Sequence, residues 1–317
     1  MNVVTSVLRA RELPVAAALV LLVAVTWAMN PLFLSAQGVK DLLLNATILV
    51  ILAAGQTMVI VSRNIDLSVG SILGLVAFFV GSIFAAWPQA PIPLVFLLGV
   101  CFGTLLGSFN GVLVALANVP ALVITLGTMY VYRGINNMWA GPRQYFAGDR
   151  PHSFGQLSVD TLAGLPIITL MAIIVVAIVA VAMRGLRSGR DLYAIGSDPD
   201  AAVFFGIPVR RRVIMAFACN GALAGLAGVL YASRFNSVGA LTGTGMELQV
   251  VAAAVVGGVA IFGGSGSAVG AAIGALLLTT ITSALTSVGV DKFWQQAVVG
   301  LLILSAILID RLARRRS

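Results

Sequence analysis

Few residues in this chain have side chains suited to bond chemistry, and their spacing excludes most reactions. There are two lysines, Lys40 in the run QGVKDL and Lys292 in VDKFWQ. Neither follows the glycine pattern GxxxxGK[ST] of a phosphate-cradling loop, so no nucleotide-binding domain is expected. Cys101 and Cys219 stand in apolar runs without a CxxC partner, which predicts neither a metal site nor a disulfide framework. His152 is the single histidine and lies in a polar loop with nothing beside it to form a proton relay. What remains is a set of uncharged hydrogen-bonding groups set into apolar stretches: Asn45, Gln56, Asn110, Thr125, Asn136, Asn137, Asn220, Gln249, Gln295 and Gln296. Such groups at membrane depth either bond helix to helix or line a pathway. As a set they suit an uncharged polyhydroxylated solute better than an ion.

Ionisable residues inside spans cost about 2.5–3.5 kcal/mol each on insertion scales and persist for function. Here Asp66, Glu247 and Asp310 fall at predicted span ends and Arg133 near one. Proton or sodium coupling is therefore not expected, and a neutral passage whose energy comes from another subunit fits better.

The elements that position these groups follow from composition. Of 317 residues, 60% are hydrophobic and 9% charged, against about 25% charged in a soluble domain. The charges cluster between apolar runs, and a helix of about 20 apolar residues crosses the hydrocarbon core. Ten spans are predicted, at about 13–29, 42–61, 69–86, 92–117, 119–139, 166–183, 213–231, 247–263, 269–288 and 295–310. The fold class is all-α, a polytopic membrane bundle of about ten helices in a single domain over 1–317. The first span, after Arg9 and Arg11, reads as an uncleaved helix, because no small-residue cleavage site follows it.

With ten spans, one side collects Arg9, Arg11, Arg63, Arg184, Arg187, Arg190, Arg210, Arg211, Arg212, Arg311, Arg314, Arg315 and Arg316, 13 of the 19 basic residues. By the positive-inside bias this side is cytoplasmic, and so are both termini. The net charge of +8 is thus mainly an orientation signal, and nucleic-acid binding is not expected. Glycines at four-residue spacing, Gly103/Gly107/Gly111, Gly70/Gly74, Gly221/Gly225 and Gly270/Gly274, predict close helix packing.

Two loops are long. Residues 140–165 fall outside and either meet an external partner or simply connect spans. Residues 184–212 fall inside and hold a short apolar stretch, Ala201 to Ile207, between Pro199 and Pro208. Asp198 suits the N-cap of a short helix there, and Pro208 ends it. A polar knot, SRNIDLS at 62–68, interrupts two apolar runs. Asp66 is placed to pair with Arg63, and Asp66 or Ser68 to cap the next helix.

The run Gly55-Gln-Thr-Met-Val-Ile-Val-Ser-Arg-Asn-Ile-Asp-Leu-Ser-Val-Gly-Ser71 resembles the GGIDLSVGS signature of permeases from sugar ABC importers, the ribose, xylose, arabinose and galactose group. Phe109-Asn-Gly111, Val119-Pro-Ala-Leu-Val-Ile-Thr-Leu-Gly-Thr128 and Arg133-Gly134 look like the central motif of that family. Gly189-Arg-Asp-Leu-Tyr-Ala-Ile-Gly196, Ala201-Ala202 and Gly206-Ile207 look like its cytoplasmic coupling segment. Gly245-Met-Glu-Leu248, Val256-Gly-Gly258 and Gly263-Gly-Ser-Gly266 look like its C-terminal motifs. The resemblance covers nearly the whole chain. Arg63-Asn64 replaces the usual double glycine, and Ala121-Leu122 the usual proline-phenylalanine after Pro120. The Arg-Asn variant is most similar to the autoinducer-2 and rhamnose branch.

The resemblance implies a permease that pairs with a second permease, a copy or a paralogue, above cytoplasmic ABC ATPases. A periplasmic or lipid-anchored sugar-binding protein delivers the solute. ATP and Mg belong to the partner ATPase, with no cofactor or metal on this chain. Gly196, Asp198, Ala201, Ala202, Phe204, Phe205, Gly206 and Ile207 would dock in the ATPase groove, with Arg210 to Arg212 near acidic or phosphate groups. The expected pathway residues are Asn64, Asp66, Ser68, Asn110, Thr125, Asn45 and Gln56. A self-sufficient facilitator or secondary transporter is the alternative, and a membrane scaffold subunit a third reading. A passive facilitator would need no docking helix.

Overall fold

The computed structural model describes residues 12–117, 119–291, 294, 295, 297, 298, 300 and 301. Backbone polar groups cannot be left unpaired in lipid, so the apolar runs become helices. In chain order these are α1 (Glu12–Met29), α2 (Ala36–Val61), α3 (Val69–Ala86), α4 (Ile92–Ala117) and α5 (Ala121–Ala140). An outer loop follows with β1 (Tyr145–Phe146), α6 (His152–Gln156), β2 (Thr161–Leu162) and β3 (Leu165–Pro166). Then come α7 (Ile167–Gly185), α8 (Arg187–Ser197), α9 (Pro199–Phe204), α10 (Val209–Arg234), β4 (Ser237–Val238), α11 (Met246–Val256) and α12 (Ala268–Ser287).

Among the described residues, 7 helices are long and apolar enough to cross a membrane: α1, α2, α3, α4, α7, α10 and α12. Two expected spans differ. The 20-residue α5 has the length, but Arg133, Asn136, Asn137 and its tyrosines make it too polar to qualify. The run predicted at 247–263 is helical only to Val256, where Gly257 and Gly258 turn the chain, so α11 reaches only part of the way across. The predicted span at 295–310, with Arg9, Arg11 and Arg311 to Arg316, lies wholly or mostly outside the described residues.

Helix α2 is almost wholly buried and forms the axis, with α7, α10, α11 and α12 against it. Helix α10 packs along α4 through the predicted glycine stripes. A methyl group at Gly103 would strike the Gly221 carbonyl, and one at Gly107 would lie 2.7 Å from the Gly221 Cα. Gly270 and Gly274 press in the same way on the Gly257 and Ala253 carbonyls of the α11 end. Gly70 and Gly74 instead meet the carbonyls of Gly243 and Thr242, in the turns that precede α11. Small residues let backbones meet here because lipid supplies no hydrophobic drive between helices.

Helices α2, α9, α11 and α12 end alike. In each, a left-handed residue follows the C-cap, and the next amide reaches back five residues: Asn64 N to Val59 O, Ile207 N to Ala202 O, Val259 N to Ala254 O and Val290 N to Leu285 O. This motif satisfies carbonyls that a helix end leaves free. Gly206, Gly258 and Gly289 fill the left-handed position in three of them. In α2 it is Arg63, with φ 67°, at a backbone cost of about 1–2 kcal/mol for a residue bearing a Cβ. The sugar-permease signature has glycine at this site, so the Arg63-Asn64 departure is a strained helix cap.

The outer loop does more than connect. Phe154 is buried against Phe84 and Phe96, with ring centroids 4.8 and 6.4 Å apart. Ser233 Oγ donates to Phe154 O at 2.7 Å, and Arg150 Nη1 donates to the carbonyls of Ala232 and Phe235 at the end of α10. Strand β1 pairs antiparallel with β4. The loop therefore closes one end of the α3–α4–α10 group.

The packing at Gly107 yields a prediction. Gly107→Val forces α4 from α10, because overpacking costs about 1–3 kcal/mol where the neighbour cannot yield, and here the neighbour is backbone. The detergent-solubilised chain should lose several degrees of melting temperature. Gly127→Ala, with nothing within 4 Å, should leave it within a degree or raise it.

Candidate functional site

The polar groups scattered along the sequence converge on the link between α2 and α3. Residues 62–68 are too polar to continue a spanning helix, and the chain there folds on itself. Asn64 Nδ2 donates to Ser62 O at 2.8 Å, and Ser62 Oγ donates to Val59 O at 2.8 Å. Beyond this turn the chain re-enters the bundle, and Asp66 is wholly buried. Its Oδ1 accepts from Ser68 N at 2.8 Å and Ser68 Oγ at 2.6 Å, which fixes the start of α3. Its Oδ2 accepts from Asn220 Nδ2 of α10 at 3.0 Å.

The bonds continue outward. Asn220 Nδ2 also donates to Gln56 Oε1 of α2 at 3.2 Å. Asn110 Nδ2 of α4 donates to Ser68 Oγ at 2.6 Å, and Tyr132 OH of α5 donates to Asn110 Oδ1 at 2.9 Å. Thr125 Oγ1 of α5 accepts from Leu67 N and donates to Ile65 O, both at 3.1 Å. One carboxyl group thus ties together α2, α3, α4, α5 and α10.

Of the expected pathway residues, Gln56, Asp66, Ser68, Asn110 and Thr125 share this network and have no exposed surface in this conformation. Asn64 stands apart in the α2 cap. Asn45 is exposed on a cleft of about 520 Å³ between α2, α11 and α12 and accepts from Arg234 Nη2 at 2.5 Å. The expected Asp66–Arg63 pair does not form. Arg63 turns off at the α2 cap, and neutral donors hold Asp66 instead. Tyr132 was not singled out in the sequence, because only its place one turn beyond Thr128, facing α4, gives it a role.

A second polar group lies further along α5. Arg133 Nη2 is 3.4 Å from Glu247 Oε2, and Arg133 Nε and Nη2 donate to Ser71 Oγ at 3.3 and 3.2 Å. The sequence placed Glu247 at a span end and Arg133 near one. The structure puts Arg133 well within α5, and Glu247 at the start of α11 inside the bundle, so two ionisable residues lie at depth.

At the opposite end of the bundle from the outer loop, α8 and α9 form an elbow. Asp198 caps α9, accepting from Asp200 N and Ala201 N at 3.0 Å. Gly196 packs directly on Val61 O, which also accepts from Gly264 N at 3.0 Å. Arg212 Nε bonds Asp191 Oδ2 at 2.7 Å, and Tyr193 OH donates to Gly266 O at 2.9 Å. Ala202 is buried and Ala201 and Ile207 half-buried, whereas Phe204 and Phe205 are 91% and 85% exposed. Of the three consecutive arginines, Arg212 is committed to Asp191, and Arg210 and Arg211 are exposed.

The Asp66 network predicts an asymmetry. Asn220→Ala leaves Asp66 Oδ2 without its donor, while Ser68 still bonds Oδ1, a loss of about 1.5–3 kcal/mol. Asp66→Asn keeps the shape and should cost less. Thermal unfolding in detergent reads both, and equal or reversed losses would contradict the central place given to Asp66.

The pattern of the family described as "Branched-chain amino acid transport system / permease component" matches residues 38–307. The autoinducer 2 import system permease protein LsrC of Escherichia coli (strain K12 / DH10B) is 38% identical over 300 residues, covering 95% of this chain and 86% of its own. The protein of the same name from Enterobacter sp. (strain 638) is 36% identical over 305 residues, covering 96% and 88%. No solved structure matches. With the family pattern spanning most of the sequence and relatives aligned along nearly all of it, the chain belongs to the family of transport-system permease components.

Proposed function

We propose that this chain is the membrane-spanning subunit of an ABC importer that moves a monosaccharide or sugar-like molecule inward across the inner membrane. The solute class is a pentose, a deoxyhexose such as rhamnose, or an autoinducer-2-like compound. The names of the relatives at 38% and 36% identity favour the last. The chain performs no bond chemistry and forms one permease domain over 1–317. ATP and Mg act on a separate cytoplasmic ATPase. A second permease, copy or paralogue, and a periplasmic or lipid-anchored binding protein complete the assembly within membrane lipid, with both termini cytoplasmic.

The observation that carries this reading is the elbow of α8 and α9. Two adjacent phenylalanines stand in the open on a short, doubly capped helix, and large exposed apolar side chains mark contact sites. The backbone beneath them is seated against α2, the segment 257–266 and, through Asp191, α10. A push on Phe204 and Phe205 would therefore move several spans together. A facilitator working alone has no use for such a contact.

In this reading the Asp66 network is the part of the pathway wall that the moving helices separate. Gln56, Asp66, Ser68, Asn110 and Thr125 then meet the solute when α5 and α10 part, and Asn45 and Asn64 lie nearer the two ends. Two amide atoms in the network, Gln56 Nε2 and Asn220 Oδ1, have no partner among the described residues. A fully saturated network would resist rearrangement more strongly.

Two tests follow. Phe205→Asp and Gly206→Pro should abolish co-purification of the ATPase while the chain still inserts in the membrane, and normal assembly of both would refute the docking role. In proteoliposomes, uptake should require the ATPase, ATP and the binding protein together. Uptake by this chain alone would establish the facilitator reading instead.

A further inference from the structure

The segment between β4 and α11 descends into the bundle without forming a helix. Asn136 Nδ2 of α5 donates to Ala240 O at 3.0 Å, and the carbonyls of Thr242 and Gly243 press on Gly74 and Gly70 of α3. Gly243 and Gly245 turn the chain with φ of 79° and 83°, and α11 begins. Its first residue, Met246, lines the same cleft as Leu49, the middle of α2. Arg133 lies about 18 Å along an α5 about 30 Å long, at 1.5 Å per residue. The turn segment, the start of α11 and the Arg133–Glu247 pair therefore share the middle depth of the bundle.

One side of this assembly is open. Leu241, Thr244, Gly245 and Leu248 are exposed, and so are Tyr130 and Gly134 beside them on α5. Irregular backbone at membrane depth occurs only where protein buries it or where it lines a water-filled cavity. Ionisable residues at this depth face a bundle interior or a water-filled cavity. Charged groups are also depleted from the cores of protein interfaces. Water is the surrounding that satisfies all three conditions.

We infer that Arg133 and Glu247 form a solute subsite at the middle of the membrane, open to an aqueous pathway along α5 and the segment 239–245. The ligand class is a small neutral molecule with adjacent hydroxyls. The pair is loose, at 3.4 Å, against about 2.7–2.9 Å for a tight charge-assisted bond. Among the described residues Arg133 Nη1 has no partner. The guanidinium can donate to one hydroxyl oxygen while the Glu247 carboxylate accepts from the neighbouring O–H. A bare cation or anion would meet the wrong member of the pair. The inference rests on the importer reading and names where its solute is held.

The test uses the assembled transporter in proteoliposomes with Cys101→Ser and Cys219→Ser. Single cysteines are introduced by Thr244→Cys, Tyr130→Cys and, as a mid-span control on another face, Leu105→Cys. A charged methanethiosulfonate should modify positions 244 and 130 at least ten-fold faster than 105. Whichever of autoinducer-2, L-rhamnose or D-ribose the cysteine-free complex takes up should slow that modification. Glu247→Gln should raise the solute concentration for half-maximal uptake about ten-fold. Modification as slow as at 105 would mean lipid or a packed protein face and overturns the inference. Fast modification without protection, or an unchanged half-maximal concentration, overturns the subsite. If Glu247→Gln cannot be recovered, the thiol rates decide. Failure of the cysteine-free complex to take up any of the three solutes counts against the importer reading. Fast modification would still support a water-filled face.

Discussion

The Asp66 carboxyl is buried where five helices meet, and it has no cation beside it among the described residues. A group of this kind is costly in a low-dielectric interior unless its oxygens are bonded. Each oxygen is satisfied by neutral donors from Ser68 and Asn220. Those donors belong to different helices, so satisfying one side chain fixes the start of α3 against α10, and through Asn110 and Tyr132 against α4 and α5. Interhelical hydrogen bonds in membranes contribute only about 0.6–2 kcal/mol each. Their effect here is to define positions. Apolar packing and the glycine contact of α4 with α10 supply the proximity, and the polar network supplies the register.

Under the proposed docking of an ATPase at the elbow, the same arrangement carries a push from one end to the middle. The elbow of α8 and α9 touches the last turn of α2 at Val61 and the turn at 263–266 after α11. Helix α2 carries Gln56 into the network, and α11 begins at Glu247, beside Arg133. Helix ends and sharp turns, where backbones are in direct contact, transmit displacement with little loss because nothing compressible lies between them. The strained Arg63 cap sits at this junction, and strain of that kind is kept where the surrounding structure over-determines the backbone.

The local patterns in the sequence were sufficient for much of this. Runs such as 69–86 and 92–117 became helices with the predicted limits, because an uncharged apolar run in lipid has no other way to pair its backbone. The glycine stripes predicted packing, and the stripes on α4 and α10 proved to face each other. Asp198 and Pro199 marked the start of the short helix of the elbow, since caps are written in single residues; its end was expected at Pro208 but comes at Phe204, where Gly206 takes the left-handed turn. Misreadings came where depth matters. Glu247 was placed at a span end because hydropathy treats 247–263 as one run. It cannot see that 239–245 enters the bundle first, or that Gly257 and Gly258 end the helix early.

By itself, then, the sequence determined a multi-span helical permease component and a short helix opening at Asp198. These depend on composition and on motifs a few residues long. Only the tertiary structure decided that Asp66 bonds Asn220 and Ser68 and leaves Arg63 free to turn away. It also decided that Arg133 meets Glu247 across more than a hundred positions of chain. Such pairings depend on how far the chain descends before it turns, which is set by backbone contacts at Gly70, Gly74 and Gly243 that no spacing rule encodes.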